Sequence, residues 1–208
     1  MSAAAAHKFA PATAVSPTVR ADLRTGVAAA GRVDVRGLDM DQWIAALTAA
    51  RIAWRADRHA APLSAPAPAF LFEAGAASRL DALLRGADFA KRSVTIEIDE
   101  ADLLLAGEAG FAAIERLRAR SWGVALVCDA ACAMPLGKRL RGALTEIIAD
   151  APEALSPALA LSDAAAPLLK RVRAAGNAGL AVTARQVKSP AHAGMLIALG
   201  FDRGEYVR

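Results

Sequence analysis

The sequence predicts an α/β fold built on a parallel sheet or barrel, preceded by a short antiparallel hairpin. Three observations carry this. Residues 93–136 read as strand, helix and strand: Val94, Thr95, Ile96 and Ile98 suit a strand, Phe111, Ile114, Leu117 and Arg118 recur at helical spacing, and Trp122-Gly123 closes that helix before the apolar run 124–127. A buried run that follows a crossover helix implies a parallel pair. The same alternation recurs on both sides of this unit.

In chain order, residues 1–12 are an Ala-rich tail without a true apolar signal core, and 13–208 form one domain. Residues 13–19 predict a first strand, placed at an edge by Pro17, and 28–35 a second; between them Asp22-Leu23-Arg24-Thr25-Gly26 is turn chemistry. A helix begins near Asp39, with Trp43, Ile44, Leu47, Ala50, Ile52 and Trp54 on its apolar face. Residues 62–68 read as a Pro-Ala linker, 70–72 as a compact strand ending at Glu73, and 77–84 as the next helix. After the central unit come a basic helical turn at 138–141, a weak strand at 146–148 ending near Asp150, and a loop at 152–157. A helix follows over 164–175 with Leu168, Leu169 and Val172 inward, then a strand over 180–184, then a helix that opens after Ser189 and stops at Gly200.

Composition narrows the function classes. The formal charge is +4, but the basic residues are scattered among acidic ones, so the focused stripe that nucleic-acid binding requires is missing. No apolar run is long enough to cross a bilayer, and a cytoplasmic protein is expected. Cys128 and Cys132 read as small core thiols rather than a disulfide. His7, His59 and His192 lack metal-ligand spacing. On the parallel-sheet reading Glu97, Cys128 and Asp129 sit at strand C-termini, where α/β barrels keep their chemistry.

Read in register, the chain resembles an EAL domain, the barrel that hydrolyses the bacterial messenger cyclic di-GMP. Ser16-Pro17-Thr18-Val19 with Asp22-Leu23-Arg24-Thr25-Gly26 resembles the family's Q-P-I-V and D-L-R-T-G hairpin; Glu97-Ile98-Asp99-Glu100 resembles E-I-T-E; residues 123–130 resemble G-I-A-L-D-D-F-G. Ile147-Ile148-Ala149-Asp150 resembles I-K-I-D, residues 182–189 V-V-A-E-G-V-E-T, and 198–202 A-L-G-C-D. The resemblance implies a shortened, EAL-type TIM-like barrel with an antiparallel N-terminal hairpin. Glu97 keeps a metal-ligand position. Arg32 stands for the signature Glu, Glu73 for a metal-binding Asn, and Val127 and Cys128 for paired aspartates. Ile148 stands for the water-activating Lys, Arg185 and Lys188 for two glutamates, and Glu205 falls near the terminal Gln. The literal tripeptide Glu153-Ala154-Leu155 lies between prolines and receives no role.

These substitutions imply a degenerate, non-catalytic member that holds no metal and no other cofactor. Side-chain cations at Arg32 and Arg185 would repel a divalent ion by about 4 kcal/mol per unit charge at ~4 Å, taking an effective dielectric of ~20. The expected outcome is an ion-pair network of Arg32, Arg185 and Lys188 with Glu73, Glu97 and Glu205, in an adaptor or regulator that docks on a protein partner, with a homodimer also open. The lesser alternative is a metal-independent cyclic di-GMP receptor using Arg32, Arg185 and Lys188 on the phosphates. The helices bearing Lys138, Arg139 and Arg141, or Arg116, Arg118 and Arg120, are candidate contact faces.

Overall fold

The computed structural model describes residues 16–128, 134–151 and 166–207. The tail, Asp129, Cys132 and Glu153-Ala154-Leu155 lie outside them, and with them the disulfide question and the literal tripeptide. Eight strands among the described residues close into a barrel in sequence order. Strand β1 (Thr18–Asp22) pairs antiparallel with β2 (Ala28–Arg32), and β3 (Leu63–Pro66), β4 (Val94–Asp99), β5 (Gly123–Cys128), β6 (Glu146–Asp150), β7 (Ala181–Val187) and β8 (Arg203–Tyr206) continue in parallel from β2. The antiparallel β1–β8 pair closes the circle.

Helices α1 (Met40–Ala56), α2 (Ala76–Gly86), α3 (Glu100–Ala119), α4 (Lys138–Ala143), α5 (Ala166–Asn177) and α6 (Pro190–Leu199) form the connections. A capping box opens α1, where Asp39 accepts from the Gln42 amide and the Gln42 side chain from the Asp39 amide. Helix α3 starts directly after β4 and bends at Gly107, whose φ of 54° and ψ of −129° no helix contains. Its first half was not legible from the Phe111–Leu117 periodicity.

Alternation along each strand separates two interiors. Val94, Ile96 and Ile98 of β4, Val124 and Leu126 of β5, and Val182 and Ala184 of β7 join the large apolar core between sheet and helices. Trp43, Trp54 and Trp122 are buried there as anchors, their indole N–H groups donating to Pro66 O, Ala61 O and Asp81 Oδ1. Gly31 gives Trp54 its room, because a Cβ there would lie 2.9 Å from the indole ring. Inside the barrel, Ala125, Val127 and Ile148 form a small apolar cluster of their own. Buried polar side chains, Arg20, Ser64 and Glu97 among them, share the lumen.

The structure corrects four expectations. The first strand is β1, which starts at Thr18 and continues past Val19, since Thr18, Arg20 and Asp22 alternate with Val19 and Ala21; residues 13–15 of the expected strand lie outside the described residues. The strand before α2 is Leu63–Pro66, within the supposed linker; Leu63 pairs with Val94, and Pro66 ends the strand. Phe70–Phe72 instead belongs to a 3₁₀ turn, Ala69–Phe72. Ile52 is exposed rather than core, because α1 turns that position outward.

Candidate functional site

Glu97 lies inside the barrel toward the C-terminal ends of the parallel strands, and the lumen there is organised around it. Its Oε1 pairs with Arg20 Nη1 at 2.8 Å and accepts from Ser64 Oγ at 2.7 Å. Its Oε2 faces Arg32 Nε at 3.4 Å. Arg20 Nε donates to Glu205 Oε2 at 3.1 Å, and Arg32 Nη1 lies 3.8 Å from Glu205 Oε1. Two guanidiniums thus alternate with two carboxylates. The Arg20 side chain is 0 % exposed and that of Glu97 2 %, so each charge is tolerated only through the others. Burial alone would lower the Arg20 pKa, but Glu97, Glu146 and Glu205 around it outweigh that and raise it.

Arg32, Glu97 and Glu205 therefore meet as expected, while the other predicted members do not join them. Glu73 lies after the 3₁₀ turn, exposed, with its carboxylate 3.2 Å from Arg79. In the β3–β4 register the residue opposite Glu97 is Pro66, which offers no side-chain donor. Arg185 reaches Asp150 on the neighbouring strand at 2.8 Å. Lys188 follows β7, exposed, its backbone amide donating to His192 Nδ1. Val127 and Ile148 face the lumen, whereas Cys128, one residue on, faces the helices. There its Sγ lies 3.5 Å from Arg171 Nη1.

Sequence reasoning missed Arg20 and Ser64, the two residues that complete the network. The period-two pattern Thr18, Arg20, Asp22 was the available signal for Arg20. It also missed a second buried ion pair, Arg171 Nη2 to Glu100 Oε1 at 3.1 Å, which ties α5 to the start of α3. The Met134 amide donates to the same carboxylate oxygen, and the Met134 carbonyl accepts from Arg171.

A cavity of about 570 Å³ opens at this C-terminal mouth on the β3–α3 side. Glu97, Asp99 and Asp102 line it against a single cation, Arg36, and Leu105 stands at its edge, 87 % exposed. Among the described residues, no three His, Cys, Asp or Glu side chains gather to hold a metal ion. None of the described helices is long and apolar enough to cross a membrane.

The sequence matches no family model and no curated protein. Solved structures do match. The PaMucR phosphodiesterase in its c-di-GMP complex superposes with a TM-score of 0.76 at 17% identity, over 92% of both chains. The EAL domain of Mycobacterium smegmatis DcpA gives 0.72 at 20% identity, over 92% of this chain and 89% of that one. Klebsiella pneumoniae BlrP1, in a manganese and cyclic di-GMP complex, gives 0.73 at 16% identity, over 97% of this chain and 56% of that one. With its closed eight-stranded barrel, its antiparallel β1–β2 pair and these likenesses, the chain has the fold of the EAL domains.

Proposed function

We propose that the chain is a catalytically inactive EAL-like protein that serves as a protein-interaction adaptor or regulator in bacterial cyclic di-GMP signalling, motility or cell cycle. One observation carries the reading: both oxygens of Glu97 are engaged by Arg20, Arg32 and Ser64. A divalent ion of the kind phosphodiester hydrolysis employs needs several oxygen ligands. Pro66, Val127 and Ile148 around the lumen offer no side-chain oxygen, and two guanidiniums stand where an ion would have to enter. The residues present do not fit a metal.

The receptor alternative has less support. Arg32 and Arg185 already hold carboxylates, and the adjoining cavity is acidic, which disfavours a phosphodiester. For the adaptor role, Leu104 and Leu105 are the apolar anchor, exposed on α3 just before its bend and beside the cavity. The basic faces suggested by sequence are weaker candidates, since Arg139 is held by Glu108 and Glu115 at 2.6 Å each and covers Phe111.

The test combines three measurements on the full chain. Cyclic di-GMP hydrolysis with magnesium or manganese should be absent, calorimetry with cyclic di-GMP should show no heat, and a partner captured from the native bacterium should be lost with Leu105→Asp. Metal-dependent turnover would overturn the reading, and saturable heat sensitive to Arg32→Gln would replace it with the receptor.

A further inference from the structure

The opposite end of the barrel carries the reverse charge pattern. A cavity of about 560 Å³ opens at the N-terminal ends of β4 to β8, lined there by Thr95, Gly123, Thr145, Glu146, Ala181 and Arg203. Arg92 and Arg118 also line it, so three guanidiniums face one carboxylate. Such a volume suits a small ligand.

The cations are incompletely matched. Arg203 Nη1 reaches Glu146 Oε2 at 3.4 Å, a single long contact. Arg118 donates through Nη1 to Trp122 O at 3.1 Å, while its Nε is buried with no hydrogen-bond partner. A buried orphan donor on a guanidinium is costly unless something accepts from it. Among the described residues, no ion pair joins Arg92 or Arg118 to a carboxylate. Thr95 adds a hydroxyl, and Gly123 makes room for it: a Cβ there would lie 2.4 Å from Thr95 Oγ1. The Thr145 hydroxyl is already engaged, donating to Val124 O at 2.9 Å and accepting from Val124 N at 3.0 Å.

The rim is also held in place. Arg92 and Ser121 both adopt left-handed backbone, φ 65° and 68°, and the Arg92 amide donates to Ser121 O at 3.0 Å. Non-glycine residues in that region persist where the surroundings fix them. Burial raises the Glu146 carboxyl above its ordinary value, with Arg203 and Arg20 opposing the shift.

We propose that this N-terminal mouth is a binding site for a small phosphate-bearing ligand, with Arg92, Arg118 and Arg203 as its cationic contacts and Thr95 as a hydroxyl contact. Guanidinium forks match phosphate oxygens bidentately, which single ammonium groups do not. The site is separate from the Glu97 network and does not depend on whether that network is inert.

The test titrates the full chain with inorganic phosphate, and in parallel with ribose 5-phosphate, against sodium chloride at matched ionic strength, by calorimetry and thermal melting. Saturable binding of either probe is expected. Tighter binding of ribose 5-phosphate identifies an organic phosphate as the ligand class, and equal affinities identify the anion itself. Arg92→Gln, at an exposed position, should weaken binding about tenfold, and Arg203→Gln comparably. Arg79→Gln removes the same charge near Glu73 and should change affinity less than about twofold. No saturable binding beyond the chloride control would overturn the site, as would equal affinity for Arg92→Gln, Arg203→Gln and the unaltered chain.

Discussion

The two mouths of this barrel use the same residue types to opposite effect. At the C-terminal mouth Arg20 and Arg32 are interleaved with Glu97 and Glu205, and the charges cancel within the network. At the N-terminal mouth Arg92, Arg118 and Arg203 gather around Glu146 alone. The difference teaches that counting cations at a barrel end says little until each is matched with its carboxylate. A matched set fills a lumen, and an unmatched set leaves donors for something else.

The sharpest way to break this comparison is to strand a charge at the C-terminal mouth. Arg20→Leu should cost about 3–5 kcal/mol in urea denaturation, because Glu97 loses its main partner in a dry interior. Adding Glu97→Gln should recover much of that loss, with a coupling of about 0.5–3 kcal/mol; strict additivity would show that the two do not act as a unit. At the N-terminal mouth Gly123→Ala should cost about 1–3 kcal/mol, since the new Cβ meets Thr95.

A smaller effect separates the mouths by pH. Burial, only partly offset by Arg203 and Arg20, raises the Glu146 pKa above its ordinary 4.5. The folded chain therefore keeps this proton longer than the unfolded chain does. Stability should fall as pH rises from that value until folded Glu146 also ionises, and Glu146→Gln should remove this part of the slope in melts across pH. The smallest expected effect is at the rim: Arg185→Ala should change stability by less than about 1 kcal/mol, because its partner Asp150 is 54 % exposed.

How much of this was legible depended on distance along the chain. Strands β4, β5, β6 and β7 and the second half of α3 announced themselves locally, as did the helix starts near Asp39 and after Ser189, whereas β8 did not. Strand β3 did not: Leu63-Ser64-Ala65-Pro66 lacks β-branched residues and sits among prolines, so only its pairing with β4 defines it. Within the site, Arg32, Glu97 and Glu205 were named from resemblance, and they meet. Ser64 escaped because nothing near it in sequence marks it as a lumenal neighbour of Glu97, and Arg20 because its period-two pattern says which residues share a face but not which residue they meet. Glu73 was misplaced because Phe70–Phe72 is part of a 3₁₀ turn and the strand beside β4 ends at Pro66; Cys128 faces the helices because successive residues of a strand point to opposite sides.

The β1–β8 seam has a consequence for how the molecule comes into being. Arg20 and Glu205 are 185 residues apart along the chain, yet they form one hydrogen bond across that seam. During synthesis Arg20 therefore emerges well before its partner does. Closure of the barrel, and with it full neutralisation of its innermost cation, must wait for β8, a long-range step of the kind that slows folding.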